Sequence, residues 1–151
     1  MPGDTRAWRE VRARVAAIGR RHVRAGVVGA AASAAHADSG ATNGEIAAYN
    51  EFGTRTVPSR SFVRATFRDP ARLAELRALH VRLLGLVVEG RMSLDQALGL
   101  IGAWSVGAIR ATIAGGDFAP LAPSTVARKR SSKPLVDTGQ LAGAVSWVVV
   151  P

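Results

Sequence analysis

The middle third of the chain most limits what it can become. Between Asp69 and Gly116, two long segments with helical apolar spacing are separated by only a few residues. Asp69-Pro70 opens the first, with Asp suited to the N-cap and Pro to the first helical position. Leu73, Leu76, His80, Leu83 and Val87 then form one stripe, widened by Leu79, Leu84 and Val88, and Gly90 ends it. Ser93 and Gln96 have the spacing of a capping box for the second segment. Leu94, Leu98, Ile101, Ser105, Ala108 and Thr112 share one side of it, with Trp104 and Ile109 alongside and Gly115-Gly116 as the stop. So short a connection makes the two helices an antiparallel hairpin. Gly99, Gly102 and Gly107 weaken the second helix by about 1 kcal/mol each relative to Ala. Close approach of the two helices is the expected reason for them.

The flanks add smaller elements. Residues 5–22 read as a helix, with Asp4 as its cap, Trp8, Val11, Val15, Ile18 and His22 on one face and arginines over the rest. Residues 23–29 read as a short strand, and Ala30–Gly44, which has no periodicity, as a flexible loop. Asn43 is placed to cap a helix through Glu45–Phe52 that Gly53 terminates, and Thr54–Ser61 extends or turns around Pro58. Residues 117–135 form a Pro-containing basic loop in which Ser124 caps a short turn, and Asp137 caps another turn through Leu141 and Ala142. Val145–Val150 is the clearest strand. The expected fold is a single α+β domain over 1–151: a small antiparallel sheet packed with an N-terminal helix and the central helical hairpin.

Composition sets bounds on partners. The 151 residues are 48% hydrophobic but only 5% aromatic, so a core forms but a thin one. With no cysteine, disulfides and thiolate metal sites are excluded. No uninterrupted apolar run reaches the length of a bilayer span, so no membrane partner is expected. Arg20-Arg21 ahead of Val27–Ala35 imitates a twin-arginine signal, but the pair sits inside a helical segment. The net charge is +9, and only Lys129 and Lys133 among the 20 basic residues are lysine. Such a surface favours polyanions or acidic proteins. The Arg-over-Lys bias by itself is what a GC-rich coding sequence produces.

Chemistry finds little to use. His22, His36 and His80 lie far apart without ligand spacing, and no nucleophile elbow, Walker-type loop or dinucleotide fingerprint is present. The carboxylates are scattered at helix starts or beside arginines. The expectation is a protein that is not an enzyme and uses no cofactor or metal. Basic density occurs twice, at Arg55, Arg60, Arg64 and Arg68 and at Arg128, Lys129, Arg130 and Lys133. These are the candidate interface residues, for acidic protein or for phosphate. No aromatics interleave with them as a base-stacking platform requires.

Two segments carry a resemblance. The first is Glu45–Thr54 followed by Val57–Arg64, containing Glu51-Phe52-Gly53-Thr54, Pro58, Arg60 and Phe62. The second is Pro120–Thr125 followed by Lys133–Leu141, containing Leu135, Asp137-Thr138-Gly139 and Leu141. In this order around a helical hairpin, the chain resembles the tail-component family of long-tailed phages, which includes tail-completion (neck) and virion morphogenesis proteins. Ser61 departs from the family pattern, which has a second Pro there, and a looser turn is expected. Phe52 and Phe62 are expected to anchor the segment in the core. The resemblance implies a structural subunit of the virion head–tail junction, made in the host cytoplasm. It implies a homo-oligomeric ring of six or twelve copies, between a head-closure or adaptor protein and a tail terminator or tail-tube protein. Non-specific contact of its basic residues with packaged DNA is a further expectation. Two alternatives stand beside it: a tail terminator or morphogenesis factor, and a basic nucleic-acid-binding accessory protein.

Overall fold

A computed structural model describes residues 5–37, 39–121, 135 and 139–151. Its element order is α1 (Arg6–Ile18), β1 (His22–Gly26), α2 (Ala30–Ser33), α3 (Asn43–Phe52), α4 (Phe62–Arg68), α5 (Pro70–Val88), α6 (Leu94–Gly115), α7 (Gln140–Ala144) and β2 (Ser146–Val150). The chain is an α+β protein: β1 and β2 form a two-stranded antiparallel sheet, with His22 opposite Val150 and Gly26 opposite Ser146. Both strands lie on α6, and α5 packs beside α6 as the second arm of the hairpin.

The hairpin forms as its caps dictate. The Asp69 carboxylate accepts from the Ala71 amide, with Pro70 in the first turn. Ser93 and Gln96 exchange the two hydrogen bonds of a capping box. The core has two parts. Leu83, Val87, Ala97 and Ile101 close the loop end of the hairpin. Phe62, Val106, Ile109, Ile113, Leu141 and Val145 fill the other end, together with Ala47 and Leu135. There the Thr66 hydroxyl lies 2.7 Å from both the Phe62 carbonyl and the Thr112 hydroxyl, a buried polar link between α4 and α6.

Several sequence expectations are corrected. α6 is long and apolar enough to cross a membrane on length and composition alone, because its Leu, Ile, Val and Ala outweigh the glycines and few polar residues that interrupt them. Nine of its residues, from Ala97 to Ile113, are buried against the rest of the fold. Its glycines do not serve the hairpin. A Cβ on Gly102 would fall 2.4 Å from the Trp147 indole, and Gly99 also faces that ring, so the close approach is with β2. Gly107 faces nothing within 4 Å.

α1 stops at Ile18, and His22 begins β1, which ends at Gly26 and not at residue 29. Thr5 caps α1 through its side chain, while Asp4 lies outside the described residues. The expected core face of α1 is largely open, with Trp8 55% exposed and no residue of the helix fully buried.

The segment 30–44 is not an irregular loop. It holds α2, a bridge between Ala35 and Thr42, and the start of α3. Its Ala-rich run forms a helical turn, which lack of periodicity does not forbid. Thr42, one residue before Asn43, caps α3 in a capping box with Glu45. Asn43 is buried and occupied elsewhere, its amide donating to the Ala31 carbonyl and its oxygen meeting His36 Nδ1 at 2.8 Å.

Candidate functional site: the Glu51–Arg64 turn

The motif residues converge where α3 hands over to α4. Gly53 ends α3 at φ +77, and a Cβ there would sit 3.0 Å from the Ser59 amide nitrogen, so both conformation and space call for glycine. The chain then turns through a hydrogen bond from the Thr54 amide to the Val57 carbonyl. It returns so that the Arg60 amide donates to the Asn50 carbonyl. The last carbonyls of a helix lack partners within it. Here the turn supplies them, since the hydroxyls of Ser59 and Ser61 both donate to the Glu51 carbonyl, at 2.9 and 2.7 Å.

Glu51 is the hub. Its side chain, 7% exposed as a residue, accepts from the backbone amides of Val63 and Arg64 at 2.9 and 3.0 Å. Those are among the orphan donors at the start of α4, and Ser61, at the N-cap position, provides no side-chain cap. A glutamate eleven residues before the first residue of α4 thus caps it, an arrangement that local spacing rules do not reveal. Arg64 Nε donates to the same carboxylate at 3.1 Å, and Arg64 Nη2 donates to the Glu51 carbonyl and the Ser61 hydroxyl. The guanidinium also lies 5.3 Å from the centre of the Phe52 ring, within range of a cation–π contact.

Ser61 therefore does not loosen the turn. Its hydroxyl bonds Glu51 and accepts from Arg64, fastening the turn by other means than proline. Phe62 is buried in the core as expected, at 1% exposure. Phe52 is not: it is 70% exposed and anchors nothing in the core, because the start of α4 turns inward at Phe62 while the end of α3 faces out.

Arg60 likewise departs from its expected place at an interface. It is 5% exposed, and its Nε and Nη2 donate to the carbonyls of Ala119 and Pro120 at 2.8 and 2.9 Å. This single side chain ties the first motif segment to the start of the second. Arg55 is exposed and Arg64 is about half exposed, so these two can meet a partner. Leu135 is buried at φ +63, Leu141 is buried, and Gly139 (φ +75) holds the N-cap position before α7. Pro58 is exposed on the turn, and the Thr54 hydroxyl oxygen accepts from the Val57 amide. Arg128, Lys129, Arg130, Lys133, Asp137 and Thr138, with Ser124, lie outside the described residues.

Around this turn, Phe52 and Tyr49 are exposed on one helix, and Trp8, Val81, Leu100 and Trp147 are exposed elsewhere. No group of three or more His, Asp or Glu residues able to hold a metal occurs among the described residues. The turn presents an exposed aromatic ring beside an arginine. No family model, curated protein or solved structure matches the chain.

Proposed function

We propose that this protein is a non-enzymatic structural subunit of the head–tail junction of a tailed phage, working as a ring that joins the head-closure or adaptor region to the tail tube. The observation that carries the reading is the Glu51–Arg64 turn. In the first motif segment Glu51, Ser59, Ser61 and Arg64 form one hydrogen-bonded unit, and Arg60 links that segment to Pro120, where the second begins. The surface adds support. Large apolar side chains stay exposed on several sides of a small chain with a thin core, which fits a subunit that gains burial from neighbours. Native mass spectrometry with negative-stain imaging of the purified chain tests this. Closed rings of six or twelve copies are expected; a monodisperse monomer at high concentration contradicts the ring.

The exposed arginines of α1 (Arg6, Arg9 and Arg12), with Arg20 just after it, favour a second reading, a basic accessory protein on nucleic acid. Affinity for generic DNA measured against salt separates the two. Tight binding with a steep salt slope supports the second reading, and negligible binding at physiological salt removes it.

A further inference from the structure

A sheet of two strands has two outer edges, and no backbone hydrogen bond reaches either edge from another described segment. Unpaired edges of this kind are templates for another strand. The two edges differ in what lies beside them. A cavity of about 450 Å³ is lined by Val23 and Ala25, alternate residues on the face of β1 turned to α6, and by no residue of β2, so it lies under β1 on the side away from β2. Leu98 and Ile101 of α6 contribute to its lining, and Leu76 and Leu84 of α5 face it from the hairpin's other arm. Its size is that of a binding pocket.

An open strand edge whose inner face overlies an apolar groove that extends to α5 is a geometry for strand addition. Main-chain hydrogen bonds to the edge hold an extended segment, and alternate side chains drop into the groove. We propose that the β1 edge and this groove receive an extended segment of a partner protein, with apolar residues at alternate positions and acidic residues flanking them. The acidic flanks follow from charge. Arg21 and His22 line the groove and Arg24 is exposed on β1, and Asp95, which pairs with Arg21 at 2.7 Å, offsets only one of these arginines. A second copy's β1 is disfavoured as the occupant: paired antiparallel about its centre it sets Arg24 opposite Arg24, and like charges opposed across strands repel. The proposal does not depend on the phage reading, since it rests on the sheet edge and groove alone.

The test uses the whole chain and a labelled peptide of about ten residues, with Val alternating with Thr and Asp at both ends. Fluorescence anisotropy should show saturable binding, and the outward-facing amides of β1 should exchange more slowly in the complex. Two central prolines in the peptide, which remove ladder donors, should weaken binding about tenfold or more. Lys in place of the terminal Asp should weaken it as well. Leu84→Glu should abolish binding while circular dichroism shows the fold intact; if that variant does not fold, the peptide series and amide exchange still decide. Equal binding of the proline peptide, or unchanged exchange in β1, overturns the proposal. So does binding of dodecanoate with no binding of the peptide, which would make the cavity a small-molecule pocket.

Discussion

Replacing Glu51 by Ala isolates the contact on which the turn depends. The substitution leaves the Val63 and Arg64 amides without their acceptor at a buried helix start. Hydrogen bonds to a charged group contribute about 1.5 kcal/mol or more each, so two of them give a loss of roughly 3 kcal/mol. The ion pair with Arg64 adds little, because the arginine side chain is nearly half exposed and solvent screens it. Arg64→Met should therefore cost at most about 1 kcal/mol. Glu51→Gln keeps the shape but has one acceptor oxygen where the carboxylate uses two, and should fall between, at about 1–2 kcal/mol. Urea unfolding followed by far-UV circular dichroism measures the three variants. For a chain of this length the Ala variant should also melt roughly 6–12 °C lower. If Arg64→Met costs as much as Glu51→Ala, the ion pair dominates and the capping argument is refuted. If Glu51→Ala changes stability by less than about 0.5 kcal/mol, α4 does not need this cap.

Further outcomes follow from the same structure. Gly102→Ala should destabilise by about 1–3 kcal/mol because its Cβ meets the Trp147 ring, whereas Gly107→Ala, facing open space in the same helix, should stabilise by up to about 1 kcal/mol; denaturant midpoints of the pair give opposite signs or contradict the packing. The Glu45 carboxyl is held below the ordinary glutamate range by hydrogen bonds from Thr42, first its backbone amide and then its hydroxyl. A depressed carboxyl stabilises the fold above its unfolded pKa, and that contribution fades as pH falls through the folded value. Melting curves of wild type and Glu45→Ala should therefore differ at neutral pH and converge in acid. Phe52→Asp should leave the melting temperature nearly unchanged, since the ring is exposed, while lowering self-association in sedimentation velocity.

The hairpin was legible in the sequence because its signals are local: Asp69-Pro70, Ser93 with Gln96, and apolar stripes long enough to fix the helical period. The strand at the C-terminus was legible for the same reason. The α3–α4 turn was legible as a motif but not as a mechanism. Glu51 caps a helix that begins eleven residues later, and Arg60 reaches carbonyls about sixty positions away, so neither contact has a local signature. Phe52 and Phe62 look alike in sequence, yet the turn between them sends one outward and the other into the core. Gly102 sits on a helix whose sequence neighbour is its hairpin partner, and no local signal tells that the tryptophan lying on it comes from the last strand. The segment 30–44 hid its order because Asn43 and His36 hold it through side chains, without apolar periodicity.

The central claim is a place in a particle, so imaging the particle tests it most directly. Gold-labelled antibody against this chain, applied to intact tailed virions, should mark a single position where head meets tail. Label along the tail, over the head, or missing from mature particles altogether contradicts the neck assignment.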